Sequence, residues 1–253
     1  TKEFGGVPVI KDIDFRVPRG GFTVIIGPSG CGKSTLMSMA AGLLPADHGY
    51  VFVNGREAIG PTPKTALLFQ SYNLFPWLSA QGNVAFASRN QGYGVKEANE
   101  RAHTLLKAVG LSACADKYPM QLSGGMKQRV ALVRAFAMNP RLLLLDEPFM
   151  ALDHETKKLM HQYLLMTWEK TQCTVVMVTH SLDEALALAD RIILITGSPG
   201  RLADAVDVTL PRPRDLFDSQ MQKLHRHLEE HLEREVSRGE FTAEELKILS
   251  ASE

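Results

Sequence analysis

Cysteine, net charge and long apolar runs are what this sequence has least of. Three cysteines, Cys31, Cys114 and Cys173, lie far apart in 253 residues. They offer neither a disulfide framework nor a paired metal site, which suits a reducing compartment. Lysine plus arginine equal aspartate plus glutamate at 28 each, so no overall basic field argues for nucleic acid and no acidic excess for disorder. No apolar run approaches the roughly 20 residues of a membrane span, and no stretch reads as a signal peptide. Work at a membrane would need another chain to supply the spans. The chain begins at Thr1 rather than Met, as a trimmed N-terminus would. It is long enough for one large domain or two small ones, and no internal repeat is visible.

What is present is a phosphate cradle. Gly27-Pro28-Ser29-Gly30-Cys31-Gly32-Lys33-Ser34-Thr35 fits G-x-x-x-x-G-K-[ST] at every fixed position. Gly27, Gly30 and Gly32 allow positive φ and turn backbone N–H groups toward one point. A helix starting near Lys33 adds its positive end, Lys33 can reach the outer phosphates, and the Ser34 hydroxyl can ligate Mg²⁺. Phe22 to Ile26 reads as a buried strand and Thr35 to Ala41 as a helix, so strand, loop and helix come in the required order. Cys31 reads as a spacer with an exposed thiol.

Along the chain, Val7 to Pro18 alternates as a half-exposed strand would, and Gly49 to Gly55 reads as a short strand closed by an Asn-Gly turn. Ala66-Leu67-Leu68-Phe69-Gln70 is a buried strand delivering Gln70 to its carboxyl end. From Ser71 the pattern turns helical: Val95 to Val109 carries one apolar face and stops at Gly110. A second helix opens at Ser123-Gly124-Gly125 and runs to about Met138. The apolar runs Leu142 to Leu145 and Thr174 to Val178, with a helix from about Glu155 to Lys170 between them, mean a parallel sheet; Ile192 to Ile195 adds a strand. Ser181 to Glu184 has capping-box spacing, which puts His180 at a strand-to-helix junction.

Asp146-Glu147 follows the leucine run, so two carboxylates stand at the carboxyl end of a hydrophobic strand. Adjacent strand residues point to opposite faces, which divides their roles: Asp146 for the metal, Glu147 as general base. Leu122-Ser123-Gly124-Gly125-Met126-Lys127-Gln128-Arg129 makes a second anion site at a helix start. With this stretch the chain resembles the nucleotide-binding subunit of an ABC transporter. That family combines a P-loop, an LSGGQ-like signature, an Asp-Glu pair, a glutamine loop and a switch histidine, and all five stand here in order over about residues 1 to 200.

The resemblance implies an α/β fold: a P-loop NTPase (RecA-like) core with an antiparallel β subdomain over 1–70 and 137–200, an inserted α-helical subdomain over 71–136, and a short helical tail over 201–253. It implies ATP and Mg²⁺ as cofactors and a head-to-tail dimer in which Ser123, Gly124, Gly125 and Gln128 of one subunit cap the nucleotide in the other's cradle. Phe4 aligns with the aromatic that stacks on adenine, against the alternative of a core phenylalanine. Gln70 resembles the residue that touches Mg²⁺ and the attacking water, His180 the switch histidine at the γ-phosphate, and Asp153 belongs to the segment crossing the dimer interface. Met150 departs from the small residue usual just before that segment.

Phe75-Pro76-Trp77-Leu78 is either a docking surface for a helix of the transmembrane subunit or internal core of the helical subdomain. Phrases such as Gly197 to Arg201 and Leu210 to Arg214 are similar to those of the nitrate, sulfonate and taurine import group. The implied activity is ATP hydrolysis driving import of a small anion through a separate permease. Its partners are permease subunits, a second ATPase subunit and, indirectly, a periplasmic or lipid-anchored binding protein, with no nucleic acid. Its place is the cytoplasmic face of the inner membrane. An exporter subunit or a soluble ABC ATPase are the alternatives. His227-Leu228-Glu229-Glu230-His231 matches the H-x-x-E-H pattern of some zinc peptidases. The stripe Phe217, Met221, Leu224, Leu228 and Leu232 instead favours an amphipathic helix whose histidines face solvent among Lys, Arg and Glu.

Overall fold

A computed structural model describes residues 1–239. In chain order, β1 (Lys2–Phe4) and β2 (Val7–Ile10) form a hairpin before β3 (Phe22–Ile26) and α1 (Lys33–Ala40). A second hairpin, β4 (Phe52–Val53) and β5 (Arg56–Glu57), precedes β6 (Thr65–Leu68). Then come α2 (Ala80–Arg89), α3 (Val95–Ala108), α4 (Gly124–Ala137), β7 (Leu142–Asp146), α5 (His154–Thr171), β8 (Thr174–Val178) and α6 (Leu182–Leu188). The described chain closes with β9 (Arg191–Thr196), β10 (Arg201–Asp207) and α7 (Ser219–Gly239).

Six strands make one sheet in the order β10-β9-β3-β8-β7-β6, parallel except for β10, which runs antiparallel at the edge. Every residue of β3 and β7 is buried, because helices cover both faces of these strands. Leu143 and Leu145 point into a larger core with α2 to α6, while Leu144 shares a smaller one with Met37 of α1, Ile25 and Val176. Each such leucine contributes about 1.5–3 kcal/mol by leaving water. Register pairs Ile25 with Val178 and Asp146 with Val178, so β3, β7 and β8 end together. The segments that follow them therefore meet above one sheet edge.

Two expected strands are shorter than their alternation suggests: Val7 to Pro18 is strand only through Ile10, and Gly49 to Gly55 only at Phe52–Val53. The Asn-Gly turn holds, with Asn54 and Gly55 at φ of 52° and 76°. In the helical subdomain Ser79 caps α2 by accepting from the Gly82 N–H at 3.1 Å. Ala98, Ala102 and Leu106 form the buried face of α3.

The tail expected as helical over 201–253 contains the helix α7 but opens with a strand. Its first seven residues are β10, in which Leu202, Asp204 and Val206 are half-buried while the strand hydrogen-bonds along β9 with a bulge between Leu202 and Asp204. Arg212 and Arg214 then donate to carbonyls of Leu186, Leu188 and Ala189, strapping the tail to the end of α6. In α7, Met221 and Leu228 are buried and Leu224 and Leu232 pack beside them. Phe217, assigned to that stripe, precedes the helix and is 88% exposed. Residues 240–253 of the expected tail lie outside the described residues. No helix among the described residues is long and apolar enough to cross a membrane.

Candidate active site

The cradle joins β3 to α1, with Gly30 and Gly32 at φ of 82° and 90°. Both values favour glycine. Gly27 serves a different need, since a Cβ there would collide with the Ile195 carbonyl of β9. Lys33 is buried and donates to the Gly27 carbonyl at 2.8 Å and the Pro28 carbonyl at 2.6 Å. The ammonium thus lies inside the loop, and the first N–H groups of α1 lack intrahelical acceptors. The exposed-thiol expectation for Cys31 fails: the residue is 1% exposed and its Sγ lies 3.5 Å from the Ile195 carbonyl oxygen. Burial pushes that thiol's pKa up, so it is packing rather than a reactive group. Ser34 is exposed at the helix start and Thr35 half-buried behind it.

Beside the cradle, Asp146 ends β7, and the nearby Ser34 hydroxyl favours its ionised form. Burial raises the Asp146 pKa and Glu147 adds to the rise, against the opposing pull of Ser34 and Lys33. Glu147 sits at φ 48°, an uncommon setting for a non-glycine residue, with its N–H bonded to the Val178 carbonyl at 3.0 Å. Its Oε2 lies 3.6 Å from Nδ1 of His180, which is largely exposed at the end of β8. Two strand ends therefore bring a carboxylate and an imidazole face to face at the cradle's edge.

Several residues that position this pair escaped sequence reasoning. Thr179 donates to Glu184 Oε2 at 2.6 Å and accepts from the Ser181 N–H at 3.1 Å, while Lys157 pairs with Glu184 Oε1 at 2.8 Å. Ser181 does cap α6, accepting from the Glu184 N–H, but the Glu184 side chain turns to Thr179 rather than closing the box. The segment carrying His180 is thereby tied to α5. Capping-box spacing pointed at Glu184 and concealed this second partner.

Ser123 caps α4 by accepting from the Met126 N–H, and with Gly124 it is exposed. Among the described residues no hydrogen bond joins Ser123, Gly124 or Gly125 to the chain's own cradle. Gly125 lies against Leu152 and the Ala151 carbonyl. Gln128, expected among nucleotide ligands, is 1% exposed. Its amide donates to the Glu147 carbonyl and accepts from the Ala151 N–H, so it ties α4 to the segment that follows β7. Asp153, of the segment expected to cross the dimer interface and contact the nucleotide there, caps α5, accepting from the Thr156 N–H at 3.0 Å and its hydroxyl at 2.7 Å. Those bonds hold its carboxyl below the usual range.

Gln70 is exposed past β6, and its amide lies 3.7 Å from Met150 Sδ. Among the described residues no hydrogen bond joins it to Ser34 or Asp146. Phe4 is 48% exposed with Lys2 Nζ 5.5 Å from its ring centre, so the core reading of Phe4 fails. The patch after Gln70 divides between its two readings: Trp77 is 70% exposed, whereas Phe75 is half-buried and packs between Trp77 and Phe86 under the Arg134 guanidinium. Asn83 holds that loop, donating to the Phe75, Leu78 and Ser79 carbonyls.

The ABC transporter family model matches residues 10–150. The chain is 40% identical over 225 residues to the nitrate import ATP-binding protein NrtD of Synechocystis sp., covering 89% of this chain and 85% of that protein. It is 41% identical over 210 residues to the taurine import ATP-binding protein TauB of Escherichia coli O157:H7, covering 83% and 82%. Among solved structures it matches the ATP-binding cassette MJ0796, a dimer in a post-hydrolysis state bound to ADP and Pi. That match has a TM-score of 0.75 and 31% identity, and covers 83% of this chain and 96% of that one. The cradle, the carboxylate pair and the signature helix all fall within the matched span, and the chain belongs to the ABC transporter family as an ATP-hydrolysing import subunit.

Proposed function

We propose that the chain hydrolyses ATP at two composite sites of a head-to-tail dimer and drives uptake of a small anion such as nitrate or a sulfonate through a separate permease. The observation that carries this reading is the 3.6 Å approach of Glu147 to His180 beside the buried Lys33. Glu147 takes the proton of the attacking water, and His180 orients it against the γ-phosphate. Lys33 and the cradle N–H groups hold the outer phosphates. The exposed Ser123 and Gly124 cap the nucleotide of a second subunit, since they make no hydrogen bond to their own cradle among the described residues. The exposed ring of Phe4 stacks on adenine.

The Ser34 hydroxyl and the Asp146 carboxylate, close enough for the hydroxyl to lower the carboxyl pKa, are two hard oxygen donors that fit Mg²⁺, with Gln70 joining them on closure. When bound, Mg²⁺ supplies charge neutralisation on the phosphates. The patch of Phe75, Trp77 and Phe86 receives the permease at the cytoplasmic face of the membrane. The test is phosphate release from the reconstituted transporter: Glu147→Gln should keep ATP binding and lower turnover by about 10²–10⁴. Unchanged turnover removes Glu147 from the role of base.

A further inference from the structure

Among the described residues, Asp204, His227 and His231 bring metal-ligating atoms within 4.8 Å of one another, far along the chain from the nucleotide motifs. Three independent features build this cluster. In α7 the two histidines are four residues apart, one turn along the same face, and their ring centres lie 4.6 Å apart. Across from them, β10 carries a bulge between Leu202 and Asp204. Leu202 pairs with Ile195 in the smaller core, whereas Asp204 pairs with Leu194 and Val206 with Ile192 in the larger core that α7 joins. Cross-strand partners share a face, so the extra residue turns Asp204 toward α7. Finally, Asp204 Oδ1 accepts the Ala205 N–H at 2.7 Å, leaving Oδ2 3.0 Å from His227 Nε2.

We propose that Asp204, His227 and His231 form a binding site for a borderline divalent transition-metal ion, best matched by Zn²⁺, which fastens α7 to the sheet edge. Two imidazole nitrogens with one carboxylate oxygen suit Zn²⁺, whereas Mg²⁺ and Ca²⁺ prefer oxygen donors throughout. Tetrahedral Zn²⁺ with bonds of roughly 2.0–2.1 Å needs ligand atoms about 3.3 Å apart, a spacing these side chains reach by small rotations. The Ala205 N–H holds the carboxylate in place, as outer hydrogen bonds do at metal sites. Neighbouring His225 faces Asp183 and Glu229 instead and serves as an internal control. His227 is exposed, as expected of a solvated helical face, and its ring also meets Asp204 of β10.

The experiment is a Zn²⁺ titration of the full chain, without nucleotide, against a chromophoric chelator. One saturable ion per chain is expected, with affinity at least 10-fold weaker in His231→Gln and Asp204→Asn and unchanged in His225→Gln. Absence of saturable binding, or wild-type affinity in the first two variants, overturns the site and places any ion elsewhere, for instance at the partly exposed Cys114. Visible absorption of the Co²⁺-loaded wild-type chain needs no variant. Intense bands of a four-coordinate ion support the site, and the faint bands of a six-coordinate aqua ion overturn it.

Discussion

Gly200 lies almost 170 residues from the phosphate loop in sequence, and its substitution by alanine should damage that loop. The residue needs no unusual φ, but a Cβ built on it would fall well inside contact distance of the Cys31 carbonyl oxygen. Real Cβ atoms essentially never approach closer than 3.0 Å, so one backbone segment must move by on the order of 1 Å. The Gly200 side is anchored, with its N–H donating to the Val9 carbonyl and its carbonyl accepting the Lys11 N–H, both at 2.9 Å. The phosphate loop is the softer partner, being held at Cys31 mainly through a thiol contact to the Ile195 carbonyl. Overpacking of this kind costs about 1–3 kcal/mol of stability. Displacing phosphate-binding N–H groups by about 1 Å lowers activity by up to 10²-fold. Urea unfolding and titration with a fluorescent ATP analogue measure the two effects separately. Gly94→Ala, where a Cβ meets nothing within 4 Å, is the control. Wild-type nucleotide affinity and an unchanged urea midpoint in Gly200→Ala would refute the argument that this turn buttresses the cradle.

Two further predictions concern buried charge. Asp146→Asn should raise the melting temperature of the nucleotide-free chain in EDTA while abolishing Mg²⁺-dependent hydrolysis. The folded-state pKa of Asp146 is raised, chiefly by burial, so its ionised form at neutral pH costs stability that an amide does not; a lower melting temperature in the variant would count against this. His161 packs edge-to-face on Phe149 with its Nε2 buried and without a partner, and burial lowers its pKa from 6.5 to about 4. Its neutral form is favoured in the fold, so stability is complete above pH 6.5 and declines as pH falls toward 4. The loss reaches about 2 kcal/mol at pH 5. Comparing urea midpoints at pH 7 and pH 5 should show that loss in the wild type and little of it in His161→Leu. Equal losses in both chains would assign the acid sensitivity to other groups.

By itself the sequence determined the order of the motifs and the elements that carry them. The glycine spacing of 27–32, the four leucines before Asp146 and the caps at Ser123 and Ser181 are local signals, legible because turns, caps and strand periodicity act within a few residues. What lay beyond reach was everything set by register between distant segments. Cys31 is buried because β9 ends against the loop, and Gln128 is internal because α4 crosses the end of β7. The alternation of β10 was legible in principle but was masked by the helical signal after it, and its bulge, which turns Asp204 toward the histidines of α7, exists only against β9. The tertiary structure decided these points because a contact between segments far apart in the chain depends on strand order and pairing offset, and a shift of one residue reverses the face every side chain presents.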